Sequence, residues 1–170
     1  HGDDEGLILP PAVAPYQVVI VPVAAHKPGV MEKAEELRAR LAKLCRVKLD
    51  ASDNSPGWKF AQWEMKGVPL RLEIGPKDIE KGQCVLVRRT DREKLFTPLE
   101  ELEAVIPQQL KAVGSALYTR AQANRAARTF AASTMDEVMD IAAKESGYIK
   151  TMWCGSEACE DMMKEKAGLS

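Results

Sequence analysis

Between Pro56 and Asp78 the chain gathers three aromatic rings (Trp58, Phe60, Trp63), four cations (Lys59, Lys66, Arg71, Lys77) and three carboxylates (Glu64, Glu73, Asp78). Rings that stack on bases, interleaved with charges that read base edges, suit the recognition of unpaired nucleotides. A metal site would want more His and Cys, and a phosphate-binding loop a glycine-rich turn opening a helix; this block has neither. Glu64 and Arg71 straddle the Gly67-Val68-Pro69 turn, so both can project from one end of a sheet. Such a pair has two readings. It is a surface ion pair of small energetic value, or a carboxylate that accepts from guanine N1–H and N2–H₂ beside a guanidinium that donates to base or phosphate. Lys77 and Asp78 follow Gly75-Pro76 and begin a short helix, Asp78 as cap or ligand, Lys77 as solvated cation or contact. Trp58 and Trp63 read as core anchors, because tryptophan in an amphipathic helix packs inward. Phe60, two positions from Trp58 and hence off its face, reads as the exposed stacking ring.

A second constellation is Cys154-Gly-Ser-Glu-Ala-Cys159, whose spacing fits half of a tetrahedral zinc site. A closed site needs four ligands, and His1 and His26 are remote in sequence, so two free thiols are the simpler reading. His1-Gly2-Asp3-Asp4 sits in a proline-flanked terminal segment that holds ligands poorly. No dinucleotide fingerprint, P-loop, nucleophile elbow or zincin motif is present.

The elements that would position these groups alternate. Gln17–Val23 is a continuous apolar run, the mark of a strand covered on both faces. Residues 30–45 place Ala34, Leu37, Leu41 and Leu44 at helical spacing. Val47–Leu49 reads as a strand, Trp58–Lys66 as a helix stopped by Gly67, and Leu70–Ile74 as a strand closed by Gly75-Pro76. Cys84–Arg88 reads as a strand and Lys94–Phe96 as an edge strand. Thr97-Pro98-Leu99-Glu100 predicts a capping box opening a helix that Pro107 kinks or restarts and that ends near Thr129. Ser133 is expected to cap another helix that Gly147 ends, followed by a strand over Tyr148–Trp153 and a helix over Ser156–Lys166. The fold class is therefore α/β, with a mixed, largely parallel sheet flanked by helices, plus a small α+β C-terminal piece. Residues 1–15, with Pro10, Pro11 and Pro15, are expected to be a tether, residues 16–115 the α/β domain, and residues 116–170 a linker helix and partial second domain.

The chain has 170 residues, 45% apolar and 29% charged, the composition of a soluble globular protein. No apolar run approaches the ~20 residues that span a bilayer, so no membrane partner is expected. The net charge of −1 argues against a general nucleic-acid coater such as a DNA-binding protein, yet residues 59–96 carry a local +3 and residues 97–170 a local −3. A modest basic zone fits a reader that touches few phosphates and relies on base contacts. Four unevenly placed cysteines predict a reducing compartment and no disulfide scaffold.

These residues together resemble the C-terminal part of prolyl-tRNA synthetases of the archaeal and eukaryotic-like type, a class II family. His1-Gly-Asp-Asp-Glu-Gly-Leu-Ile-Leu-Pro-Pro11 resembles the tail of motif 3 of the catalytic domain. Pro22, the Pro56–Asp78 block and Val87-Arg88-Arg89 resemble the anticodon-binding domain, and Cys154 and Cys159 the first half of a C-terminal zinc site. The resemblance implies anticodon contacts at Phe60, Glu64, Arg71, Lys77 and Asp78. It implies a cytoplasmic, homodimeric parent that joins L-proline to tRNA(Pro) with ATP and Mg²⁺, with Zn²⁺ in the complete C-terminal domain. Many members carry Arg where Ala12 stands, so the chain departs from the family's pattern at a position to which the resemblance gives an ATP contact. Motifs 1 and 2 are not in these residues, so the chain alone is expected to be a catalytically inactive fragment. A stand-alone paralogue serving as an interaction module is the alternative; a flavodoxin-like small-molecule binder lacks its phosphate loop.

Overall fold

The computed structural model describes residues 2–168; His1 lies outside them. Gly2–Asp3 (β1) and Gly6–Leu7 (β2) pair as an antiparallel hairpin. Val18–Pro22 (β3) leads through Val30–Leu41 (α1) to Val47–Leu49 (β4), then through Pro56–Met65 (α2) to Leu70–Ile74 (β5). The short helix Pro76–Glu80 (α3) connects to Gln83–Arg88 (β6) and Lys94–Pro98 (β7). A 3₁₀ turn over Leu99–Glu101 enters the long helix Leu102–Ala127 (α4). Thr129–Ala131 (β8), Met135–Lys144 (α5), Tyr148–Lys150 (β9) and Glu157–Ala167 (α6) follow. The chain divides between Leu117 and Tyr118 into two compact units.

In the first unit the strand order is β4-β3-β5-β6-β7. The pairings β3 with β4 and β3 with β5 are parallel, and β6 is antiparallel to both its neighbours. Four of the five strands therefore point one way, as two parallel crossovers followed by two antiparallel reversals require. Period-two alternation sorts the side chains of β5: Leu70, Leu72 and Ile74 are buried, while Arg71 and Glu73 are half-buried on the opposite face. The first face builds the main core with Ala34, Leu37 and Leu41 of α1 and Leu102, Ile106 and Val113 of α4. The second is thinner: Val19 and Val21 pack under Trp63, Val68 and Phe60. Each fully buried Leu or Ile of the main core contributes roughly 1.5–3 kcal/mol.

Several expectations need correction. Residues 2–15 do not form the tether expected of residues 1–15: Ile8 and Ala14 are buried, and the β1–β2 hairpin is seated on the end of α2. Gly6 has φ +133°, and a Cβ there would lie 2.3 Å from Met65 Cα; only glycine allows that approach. Thr97 caps nothing. It continues β7, opposite Cys84, with Pro98 opposite Gln83, because pairing with β6 outcompetes the local capping pattern. The helix α4 runs unbroken through Pro107. Leu44 is exposed, since α1 ends at Leu41.

In the second unit the capping residue of α5 is Thr134, not Ser133, with Glu137 returning the bond to the Thr134 N–H. That helix ends at Lys144, before Gly147, and β9 stops at Lys150. The strand β8, unforeseen, pairs parallel with β9.

Candidate nucleic-acid interface

The helix α2 begins where Ser55 Oγ accepts from the Trp58 N–H and Pro56 occupies the first turn. On a 3.6-residue wheel Trp58 lies about 140° from Trp63, so the two cannot share a face. Trp63 goes inward; Trp58 is 51% exposed, contrary to the expectation that both anchor the core. Phe60 and Glu64 fall on one flank of the same wheel, about 60° and 100° from Trp63. That flank overlooks β5 at Arg71.

Arg71 binds all its neighbours at once. Its Nε donates to Glu73 Oε1 at 2.9 Å and its Nη1 to Glu64 Oε1 at 2.5 Å. Its guanidinium carbon lies 4.0 Å from the centre of the Phe60 ring, a cation–π arrangement. Phe60 is consequently not a bare ring: one side packs on the thin core and another is covered by Arg71. Unused capacity remains, because Arg71 Nη2 and the Oε2 atoms of Glu64 and Glu73 carry no hydrogen bond among the described residues. The cavity beside Arg71 holds about 10 Å³, room for one water at most, so the constellation is a surface and not a small-molecule pocket.

Lys77 and Asp78 stand apart from it. Asp78 Oδ2 accepts from the Gly75 N–H at 2.9 Å, closing the first turn of α3, and Lys77 is exposed. From Arg71 to Gly75 the strand rise is roughly 13 Å. Neither residue hydrogen-bonds or ion-pairs with Phe60, Glu64 or Arg71 in this structure.

Two supports were not foreseen. Arg89, buried, donates Nη1 and Nη2 to the two carboxylate oxygens of Asp3 at 2.9 and 2.5 Å, Nη2 to the Gly6 carbonyl and Nε to the Glu64 carbonyl. It clamps the N-terminal hairpin to the backbone of Glu64. The Asp3 carboxyl is held well below the ordinary range, chiefly by that hydrogen bond to Arg89. No local pattern in the sequence signals a bond across so much of the chain. At the other end of α2, Lys59 is 2% exposed and donates to the Asp50 carbonyl at 3.1 Å. Asp50 also accepts from Trp63 Nε1 at 2.7 Å and from Ser52. Burial opposes the Asp50 charge, but the Ser52 and Trp63 hydrogen bonds and Lys59 together hold its carboxyl below the ordinary value. This network fixes α2 in roll and so fixes where Phe60 and Glu64 point.

In the second unit the Cys154 thiol is lowered, first by the Ser156 backbone N–H and then by the Cys159 thiol, so the two sulfurs adjoin. Among the described residues no group of three or more His, Cys, Asp or Glu is placed to hold a metal ion. Two thiols are half of a tetrahedral set, and the residues here do not complete it.

The anticodon-binding domain model matches residues 17–109. The chain belongs to the anticodon-binding domain family. Phe60, Glu64, Arg71, Lys77 and Asp78 all fall within the matched residues; Cys154 and Cys159 do not. Over its whole length the chain is 57% identical to the proline–tRNA ligase of Clostridium novyi, and 54% identical to proline–tRNA ligase 2 of Bacillus cereus. It spans 36% of the length of each of these relatives. The prolyl-tRNA synthetase of Cryptosporidium parvum, solved with L-proline and AMP, superposes with a TM-score of 0.88 at 37% identity, over 99% of this chain and 37% of that one. The resemblance drawn from the Pro56–Asp78 block is therefore matched by relatives over the entire chain. No helix among the described residues is long and apolar enough to cross a membrane.

Proposed function

We propose that this anticodon-binding domain reads the two adjacent guanines of the proline anticodon, as part of a proline–tRNA ligase. The observation that carries the reading is the convergence of Phe60, Glu64 and Arg71 on one surface patch. Proline codons are CCN, so each proline anticodon ends in two guanines. Guanine presents two adjacent donors on its pairing edge, which a carboxylate such as Glu64 accepts. Its O6 and N7 acceptors match the parallel N–H groups of Arg71. Phe60 backs the guanidinium and offers its remaining edge to a base. Lys77 and Asp78, six and seven residues beyond Arg71, serve a neighbouring nucleotide, Lys77 through phosphate or base and Asp78 through the oxygen its cap leaves over.

On this reading the whole protein is a class II synthetase that ligates L-proline to tRNA(Pro) in the cytoplasm, acting as a homodimer. ATP and Mg²⁺ would be handled by catalytic residues outside the patch described here. Residues 1–15 would close the catalytic domain, residues 16–115 form the reading domain, and residues 116–170 supply a linker helix and part of a C-terminal domain. Cys154 and Cys159 would give half of a zinc site whose other ligands come from elsewhere in the full protein.

The test is binding of the 170-residue chain to a labelled RNA hairpin carrying a proline anticodon loop. Changing both guanines to adenine is expected to weaken binding by about 5- to 150-fold per lost pair. Equal affinity for the two hairpins overturns the reading. The same chain is expected to form no prolyl-adenylate in a pyrophosphate-exchange assay.

A further inference from the structure

The sheet face that carries Arg71 and Glu73 continues past α2 to the edge strand β7. Register places Val21, Glu73, Val85 and Phe96 in one cross-strand row, and Val19, Arg71, Val87 and Lys94 in the next. Alternation confirms the facing. Leu95, between them, packs on the opposite face with the main core, whereas Phe96 is 68% exposed and Lys94 is exposed. A large apolar ring on an open sheet face needs a partner or a reason. Here the ring lies two strands from Glu73, about 10 Å by strand spacing. Beside it on the same face stands Lys94, a cation with no ion pair among the described residues.

We propose that Phe96 is a second stacking platform of this interface, holding the base of the unpaired nucleotide adjoining the one read by Glu64 and Arg71, with Lys94 on its phosphate. The inference rests on the reading above and deepens it. Three features select a nucleotide over a protein segment as the occupant. Phe96 shares a cross-strand row with Glu73, the carboxylate that pairs with Arg71 beside Phe60. The residue neighbouring it on that face is a cation, complementary to a phosphate. A single ring on an open sheet face is also how bases, splayed from their stack, are held on sheet surfaces in general. Stacking is indifferent to base identity, so Phe96 contributes affinity while Arg71 contributes discrimination.

The experiment measures binding of the full chain to the cognate and the guanine-to-adenine hairpins, for the unsubstituted protein and for Phe96→Ala, Phe96→Trp, Lys94→Ala and Arg71→Ala. Phe96→Ala is expected to weaken binding to both hairpins alike by roughly 5- to 150-fold, leaving their ratio unchanged. Phe96→Trp is expected to restore affinity, with its indole fluorescence quenched on RNA addition. Lys94→Ala is expected to reduce the salt dependence of binding by about one phosphate contact. Phe96 is exposed, so its replacement leaves the fold intact, and an unchanged thermal midpoint verifies this. If Phe96→Ala binds as well as the unsubstituted chain while Arg71→Ala loses discrimination, the platform is refuted and the guanine reading stands. If the unsubstituted chain does not discriminate, the guanine reading fails and takes the platform with it.

Discussion

Replacing Arg71 with Lys separates charge from geometry at the centre of the proposed interface. Arginine spends Nε on Glu73 and one Nη1 hydrogen on Glu64, and still keeps the second Nη1 hydrogen and both Nη2 hydrogens as donors. Lysine has three hydrogens on one nitrogen. After satisfying both carboxylates it retains one donor and no plane to lay on Phe60. The lost bidentate contact predicts a drop in discrimination between guanine and adenine of about 1–3 kcal/mol. Folding should barely respond, because partly solvated ion pairs contribute only about 0–1 kcal/mol each. That amounts to a thermal shift of a few degrees at most for a chain of this size. Fluorescence anisotropy with the two hairpins, run over a series of salt concentrations, gives both ratio and slope. The salt slope should stay constant because the charge is kept. An Arg71→Lys variant that preserves the full cognate-to-noncognate ratio would refute the fork as the source of specificity.

Other outcomes follow from the supports of the patch. Gly6→Ala forces a side chain against Met65 Cα at a φ of +133°, and is expected to cost about 1–3 kcal/mol from the dihedral alone; an unaltered thermal midpoint would show that the hairpin is not seated there. Asp3, its folded pKa depressed by Arg89, adds stability that is complete above its unfolded pKa of about 3.9 and is lost as pH falls through the lower folded value. Urea midpoints should therefore be steady from pH 7 to about 5 and fall below 4, and Asp3→Asn should flatten that acid limb; identical limbs would contradict the ion pair. Cys84, buried in the main core with its thiol pushed up to about 12 first by burial and then by Asp78, should resist iodoacetamide in the folded chain. Cys154, exposed and lowered, should alkylate before Cys159, whose thiol is raised by its hydrogen bond to Cys154; peptide mass spectrometry resolves the order.

What the sequence made legible follows the strength of each local signal. The continuous run Val18-Val19-Ile20-Val21 and the alternation in Leu70–Ile74 admit few other structures, and those strands lie where the pattern puts them. Thr97-Pro98-Leu99-Glu100 misleads because its capping signal, about 1 kcal/mol, competes with the ladder to β6 that extends β7 through Pro98. Thr129–Ala131 is too short for a period to register, and its strand exists only through a partner beyond α5. At the interface, residue types revealed Glu64 and Arg71 as a pair but not Arg89, whose bonds to Asp3 cross most of the first unit. The exposure of Trp58 was within reach, since its angle from Trp63 follows from helix geometry alone. Phe96 was hidden differently: as a lone aromatic in an edge strand it means nothing until register sets it in line with Glu73.

The mutual pairing of Glu64 and Arg71 bears on how specificity would arise in the proposed reading. In the unbound chain the two charges neutralise each other, partly shielded from water. A base docking over them removes more water, which costs free energy unless donors meet the carboxylate and acceptors meet the guanidinium together. Guanine offers both kinds of group. Adenine, with acceptor N7 but no N1–H, would leave Glu64 Oε2 facing a lone pair in a drier site. The penalty for a wrong base then exceeds the gain lost with the right one, as expected where buried polar groups are left unpaired. Glu64→Gln tests this asymmetry. The neutral amide still accepts through oxygen but imposes a smaller cost when unpaired, so it should raise affinity for the adenine hairpin more than it lowers affinity for the guanine one. A loss confined to the guanine hairpin would instead assign specificity to attraction alone.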